Sequence, residues 1–169
     1  YNVLRSTNGE GVRTGNFLGK AIERQNIDNV TFEKSIPSSV YNHETKKITD
    51  TTRAWDVSEM GDQSIVAWYV DSEIRNGIYK VHIANNNQIP TYKEITSNDI
   101  YANPISSYLF SYIGYSDKSQ NTEAITNLGL LNVKAVTNMK GMFKATGYAK
   151  MTSLDLGSGF DTKNVTDMS

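Results

Sequence analysis

Two stretches in the middle of the chain, residues 64–70 and 77–84, have apolar residues at every second position. The alternating positions on one side are Ile65, Ala67 and Tyr69 in the first segment and Tyr79, Val81 and Ile83 in the second. Because successive side chains of a strand point to opposite faces, this period of two predicts two β-strands. Residues 71–76, ahead of Gly77, are turn formers, so the two strands are predicted to form a hairpin with a longer loop.

Helical spacing is found on either side of this hairpin. The apolar residues of the first such segment are Phe17, Leu18, Ala21 and Ile22. They predict a helix over residues 14–27, capped by Thr14 and ended by Asp28. A second, short helix is predicted over residues 106–113, since Pro104 excludes a helix that continues from upstream. Between the first helix and the hairpin, residues 30–33 predict a short strand and residues 40–53 a polar loop.

A four-residue phrase recurs near the end of the chain. Val136-Thr137-Asn138-Met139 returns as Val165-Thr166-Asp167-Met168, at an offset of 29 residues. This offset lies within the period of about 20 to 29 residues that is typical of leucine-rich repeats. The pattern predicts stacked units, with a strand at residues 152–156 that lies parallel to one near residues 125–130.

A stacked repeat buries its apolar stripe only against a neighbouring unit, so the apolar residues of these phrases are predicted to form a shared core. The predicted core residues are Val136, Met139, Met142, Phe143, Leu154, Leu156, Phe160, Val165 and Met168. Fewer than two full units are present, and the natural protein is therefore expected to continue. The predicted architecture is α+β: a mixed N-terminal cap domain with a β-hairpin over residues 1–120, leading into the start of a leucine-rich-repeat solenoid over residues 121–169.

Two stretches of the chain resemble a known family. The segments MTSLDLGSGFDTKNVTDMS (151–169) and AVTNMKGMF (135–143) are similar to the BspA-like leucine-rich-repeat surface proteins, whose units read approximately LxxLDLxxFDTSNVTDMSxMF. Upstream, AWDVSEMGDQSIVAWY (54–69), NGIYKVHI (76–83) and YANPISSYLF (101–110) are similar to the segment that precedes the array in many members. The resemblance implies an exported, surface-attached protein and, in several members, adhesion to host matrix proteins or other cells. It implies no cofactor and no catalytic residues.

The amino-acid composition and net charge limit the kinds of molecule that this protein is expected to bind. The chain has 169 residues, of which 38% are hydrophobic and 21% charged, as in a globular protein. Its net charge of -1 and its scattered Lys and Arg residues argue against nucleic acid or an anionic membrane as the main partner. Cysteine is absent, which excludes disulfides and thiolate chemistry. No run of 18 apolar residues predicts a membrane span in this chain, and its first residues lack the pattern of an export signal.

The chain has few candidate residues for catalysis or metal binding. His43 and His82 have no second histidine or carboxylate at ligand spacing, so a solvated or hydrogen-bonded imidazole is predicted for each. Asp71 and Glu73 resemble part of a calcium loop, but Arg75 stands where such a loop needs an oxygen ligand. No nucleophile, base and orienting group combine at a recognisable spacing. We therefore expect no catalytic residues, no metal and no cofactor.

The function predicted from these features is binding. The chain is expected to belong to a bacterial cell-surface or secreted adhesion protein, with a protein or glycan of a host or neighbouring cell as its partner. The alternative is a carbohydrate-binding or cell-wall-associated module, in which Trp55 and Trp68 stack on sugar rings. Exposed, flat rings at these two positions would favour the alternative, and buried rings would favour a structural role.

Overall fold

The structure, a computed structural model, describes residues 2–7, 11–87 and 100–169. Its described part contains nine short strands: β1 (Ile27–Phe32), β2 (Tyr41–Asn42), β3 (Lys47–Ile48), β4 (Ala54–Asp56), β5 (Ile65–Trp68), β6 (Tyr79–Asn85), β7 (Ile100–Tyr101), β8 (Ile125–Thr126) and β9 (Leu131–Asn132). Helical structure is confined there to three single 3₁₀ turns, Arg24–Asn26, Asp71–Glu73 and Leu128–Leu130. The fold is thus built on sheets and on turns.

The central element is a five-stranded mixed sheet with the order β4-β5-β6-β1-β8. Strands β4, β5 and β6 are antiparallel, and β1 lies parallel to both β6 and β8. The predicted hairpin is confirmed, since β5 and β6 pair with Trp68 opposite His82. The strand predicted at residues 30–33 is found as β1, which begins three residues earlier. Two further ribbons, β2-β3 and β7-β9, complete the described sheets.

The predicted α+β cap leading into a leucine-rich-repeat solenoid is wrong. The chain is mostly sheet, with 26% of residues in strands and 6% in helices, and no described helix reaches seven residues. The sheets are mixed, and they form no solenoid in the described ranges. The expected helix over residues 14–27 is replaced by a tight turn in which Phe17 and Lys20 exchange backbone hydrogen bonds. Leu18 and Gly19 at its centre have φ values of 49° and 87°, which a right-handed helix does not accept.

The helix expected over residues 106–113 is also absent, because this segment bonds to its neighbours. The backbone N–H groups of Tyr108, Phe110 and Tyr112 donate to the carbonyls of Lys140, Met142 and Lys144. The intervening N–H groups close four-residue turns, and Tyr108 and Tyr112 take φ values of 61° and 64°. The segment is therefore a series of turns laid along residues 140–144.

A buried arginine holds these turns from the other side. The Arg24 side chain is fully buried, and its Nη1 donates to the carbonyl oxygens of Tyr108, Leu109 and Ser111 at 2.8, 3.0 and 3.2 Å. Its Nε donates to the carbonyl of Asn16 at 3.1 Å. A guanidinium offers five donors in one plane, so a single side chain can satisfy several carbonyls that a helix would otherwise satisfy internally.

The pairing predicted for the C-terminal strands is wrong as well. Residues 152–156 form no strand, and residues 125–126 pair with β1 instead. The two recurring phrases do lie side by side, with a parallel bridge between Asn138 and Asp167. Their surroundings nevertheless differ: Met139 is 4% exposed, whereas its counterpart Met168 is 65% exposed. A shared phrase in the sequence has therefore produced a local contact and not two equivalent units.

One large core unites the described segments. It contains apolar residues of both predicted helices, among them Phe17, Ile22, Phe110 and Ile113, packed with residues of β1 and β6. A smaller cluster of Ile36, Val40, Tyr41, Ala54, Val66, Trp68 and Ala84 forms separately. The large core takes residues from 1–120 and from 121–169, and the division of the chain at that point stays a prediction.

Candidate binding surfaces

A polar cleft lies beside the end of strand β5 and the 3₁₀ turn Asp71–Glu73. It has a volume of about 810 Å³. Its charged and aromatic lining residues are Glu33, Asp50, Arg53, Trp68, Tyr69, Asp71, Glu73 and His82. Strands β5 and β6 supply Trp68 and His82, and the chain that leaves β1 supplies Glu33. We refer to this region as the polar cleft.

His82 is the most constrained group of the polar cleft. Its Nδ1 lies 2.9 Å from Oε1 of Glu33, and its Nε2 lies 2.7 Å from Oε1 of Glu73. The imidazole also stacks on the indole of Trp68, with ring centroids 5.3 Å apart and an angle of 14° between the planes. Both ring nitrogens and one ring face are therefore occupied.

The two carboxylates decide the charge of this imidazole. Burial lowers the pKa of His82, but the hydrogen bonds to Glu33 and Glu73 and their negative charges outweigh burial and raise the pKa above its ordinary value. The charged form is favoured because only an imidazolium can donate to both carboxylates. With neither nitrogen free to accept a proton from a substrate, His82 is poorly suited to act as a general base.

Arg53 forms a second charged network in the polar cleft. Its Nε and Nη2 donate to the two carboxylate oxygens of Asp71 at 2.9 and 2.8 Å. Its Nη1 donates to Oδ2 of Asp50 at 3.1 Å. The hydrogen bonds with Arg53 lower the pKa of Asp71 and contribute to lowering that of Asp50, chiefly through the Arg53 backbone N–H in the second case. The acidic residues that resemble a calcium loop are thus committed to Arg53 and His82.

The two tryptophans suggested for sugar stacking lie in different settings. Trp68 is 5% exposed and belongs to the smaller core cluster, with one ring face against His82. Trp55 is half-buried against the large core, and the Lys20 ammonium lies 5.7 Å from its ring centroid. Neither ring presents a bare face to solvent in this structure.

A second cavity, an apolar groove, is lined by Tyr108 and by residues between 139 and 169. It has a volume of about 750 Å³. Its lining residues are Tyr108, Met139, Lys140, Gly141, Met142, Phe143, Lys144, Leu154, Leu156, Phe160, Met168 and Ser169. Phe143 lies at the centre of an aromatic row, stacked on Phe110 at 5.8 Å and tilted against Phe160 at 6.4 Å. We refer to this region as the apolar groove.

The residues predicted as a repeat core have different degrees of burial. Val136, Met139 and Met142 are buried, and Phe143, Leu154, Phe160 and Val165 are partly buried against the large core. Leu156 is 37% exposed and Met168 is 65% exposed, both at the apolar groove. The structure thus brings seven of these nine residues together as lining of the groove, the exceptions being Val136 and Val165.

Sequence reasoning missed the carboxylates that bind His82. Glu33 and Glu73 lie 49 and 9 residues away in the chain, at no spacing that a local motif uses. One signal was available, because the predicted hairpin brings the turn that carries Glu73 near strand β6. The approach of Glu33 depends on the parallel pairing of β1 with β6, which local periodicity does not reveal.

No group of three or more His, Asp or Glu side chains in the described part of the chain could hold a metal ion. Across residues 2–7, 11–87 and 100–169, no helix has the length and apolar character needed to cross a bilayer. Comparisons with protein-family models, curated proteins and solved structures find no match to this chain.

Proposed function

We propose that this chain is a binding module of an exported bacterial surface protein, and that it contacts a protein partner through the apolar groove. The phrases at 135–143 and 151–169 support export and a surface location through their resemblance to surface adhesins. The repeat solenoid that the resemblance also implied is not part of the proposal. The observation that carries the proposal is the composition of the groove.

The groove combines apolar area with adaptable side chains. Met168, at the exposed edge of the groove, contributes a flexible, polarizable thioether that fits partners of different shapes, whereas Met139 and Met142 are buried members of the lining. Leu156 and Met168 remain exposed although they adjoin Phe160 and Phe143. Contiguous exposed apolar surface of this kind is characteristic of sites where another protein packs.

The charge of the groove indicates the chemistry of the partner. Lys140 and Lys144 are exposed and lie within the groove lining, 4 residues apart in the chain. Asp167 accepts hydrogen bonds from the backbone and the hydroxyl of Ser169, and these bonds lower its pKa more than the nearby charge of Lys140 does. An amphipathic protein segment with apolar side chains and flanking Asp or Glu residues would therefore complement the groove.

Carbohydrate binding is the other function that the sequence raised. Sugar rings stack on exposed aromatic faces. Trp68 is 5% exposed, and Trp55 is half-buried beneath Lys20, so the geometry gives the carbohydrate alternative less support than the groove gives protein binding. Both alternatives are compared in the same experiment.

The experiment measures binding of the purified chain to immobilised extracellular-matrix proteins and to a glycan panel. Two groove variants are used, Leu156→Ser with Met168→Ser, and Lys140→Glu with Lys144→Glu. Matched controls carry two changes of the same kind elsewhere on the surface, Val12→Ser with Met60→Ser and Lys46→Glu with Lys47→Glu, at positions that are exposed and outside the groove.

The expected result is binding to at least one matrix protein that falls by about tenfold or more in both groove variants, which corresponds to about 1.4 kcal/mol. The control variants are expected to bind as the unmodified chain does. Binding to glycans alone would favour the carbohydrate alternative. Equal binding by the groove variants and the controls would refute the role of the groove.

A further inference from the structure

His82 joins two parts of the fold that are far apart in sequence. Its own strand, β6, pairs with β1 on one side and with β5 on the other. Glu33, which follows β1, donates its backbone N–H to the carbonyl of Ile83 and so has a position set by the sheet. Glu73 instead lies in the 3₁₀ turn Asp71–Glu73, which connects β5 to β6 and belongs to no strand. The imidazole is therefore a bridge between the sheet and a turn.

The charged groups around this bridge come from every adjoining element. Glu33 faces His82 from the end of β1, and Glu73 faces it from the turn. Lys80 of β6 lies 3.8 Å from the second oxygen of Glu73. Strand β5 contributes the neutral Trp68, and Asp71 at the other end of the turn is bound by Arg53. The turn is thus attached through Asp71 to Arg53 and through Glu73 to both His82 and Lys80.

Of these attachments, the contact between Glu73 and His82 is the one that depends on a histidine, the side chain that titrates near neutral pH. A neutral imidazole has one N–H, and its other nitrogen carries a lone pair. In the observed arrangement that lone pair would face a carboxylate oxygen at 2.7 or 2.9 Å, which is repulsive. Loss of the proton therefore breaks one of the two contacts.

We propose that His82 is a proton-dependent clasp that holds the turn Asp71–Glu73 against the sheet, and that loss of its proton releases Glu73 and widens the polar cleft. Glu73 is the partner that leaves because its turn has no strand pairing, whereas Glu33 is bound to the backbone of β6. Since Glu73, Ser72 and Asp71 line the polar cleft, movement of the turn changes its width.

The test is a pH titration of the intact, isotopically labelled chain by NMR, from about pH 5 to about pH 9, which brackets the ordinary histidine pKa. The two histidines are distinguished with a His43→Gln variant. The expected result is that the His82 ring titrates above about pH 6.5, the ordinary value. The backbone amide signals of Ser72, Glu73 and Ile74 are expected to shift with the same midpoint.

Cleft width is measured separately by acrylamide quenching of Trp68 in a Trp55→Phe variant. Quenching of Trp68 is expected to rise with pH at the His82 midpoint, because the indole lines the polar cleft and stacks on the imidazole.

Two substitutions separate the clasp from a general loosening of the turn. Glu73→Gln is expected to lower the His82 midpoint and to abolish the coupled shift of the turn amides. The matched control, Asp71→Asn, detaches the turn from Arg53 and is expected to leave the His82 midpoint unchanged. The proposal would be overturned if, in the unmodified chain, the amide signals of the turn did not shift with the pH midpoint of the His82 ring. A His82 midpoint at or below about pH 6.5 would also overturn it. Neither result depends on whether a variant folds.

Discussion

Replacement of Arg24 by methionine tests whether one buried side chain maintains the turns over residues 106–113. Methionine keeps an unbranched apolar stem but removes all hydrogen-bond donors. The carbonyl of Tyr108 would keep a donor in the backbone N–H of Ser111. The carbonyls of Leu109 and Ser111 would not, since Arg24 is their only donor within the described residues.

The magnitude follows from those two carbonyls. Leu109 and Ser111 are both buried, so water does not readily replace the lost donor. An unsatisfied buried acceptor costs about 1–3 kcal/mol, and two of them give a loss of about 3–4 kcal/mol after some relaxation. For a chain of this size, each kcal/mol lowers Tm by about 2–4 °C, so a decrease of about 6–16 °C is expected.

The assay is urea unfolding followed by tryptophan fluorescence, with a thermal melt by circular dichroism as the second measurement. Arg75→Met is the matched control, because Arg75 is exposed and its side chain makes none of these contacts. We expect the control to change the free energy of unfolding by less than about 0.5 kcal/mol. If Arg24→Met costs no more than Arg75→Met, the turns do not depend on the guanidinium.

Three further predictions concern the free energy of unfolding. The folded protein binds the His82 proton more tightly than the unfolded chain does, so protonated His82 stabilises the fold. This stabilisation is full below the unfolded pKa near 6.5 and is lost as pH rises through the higher folded pKa. Urea midpoints should therefore fall across that pH window, and His82→Gln should make the fall smaller. Gly114→Ala should cost about 1–3 kcal/mol more of unfolding free energy than Gly77→Ala. Both glycines have φ near 75°, but a Cβ added at Gly114 would lie 3.1 Å from the Cα of Gly147, whereas one added at Gly77 would meet no atom within 4 Å. Equal urea midpoints for the two variants would contradict this prediction. Arg53→Met should lower the urea midpoint no more than Arg75→Met does, because the Arg53 and Asp71 side chains are 40% and 61% exposed. A larger decrease would mean that the pair is less screened than its exposure indicates.

The hairpin could be predicted from the sequence because its information is local. Apolar residues at every second position identify β5 and β6 as strands, and the short polar segment between them limits the pairing to an antiparallel one. The helices could not be excluded in this way. Leu18 and Tyr108 have left-handed backbones that neither residue type signals, and their segments bond to distant chain. Spacing of apolar residues correctly indicated burial there, but not backbone conformation.

The candidate sites also differ in how far local sequence predicts them. The apolar groove could be anticipated in part, since Met139, Met142 and Phe143 are close together in sequence. Its exposed edge at Met168 was not anticipated, because the two recurring phrases seemed equivalent. The polar cleft was missed, since it requires Glu33 to meet His82 across the sheet. Contacts of this range depend on strand order, which a single sequence does not state.

Strand β1 has a consequence for how the protein is made. It lies between β6 and β8, and the side-chain amide of its own Asn29 donates to the carbonyl of Glu123, 94 positions further along the chain. During synthesis, one edge of β1 must wait unpaired until residues 125–126 have left the ribosome. Long-range parallel pairing of this kind folds slowly and exposes the nascent chain to misassociation. Cells that produce this protein are therefore expected to need chaperone protection of its first half during translation.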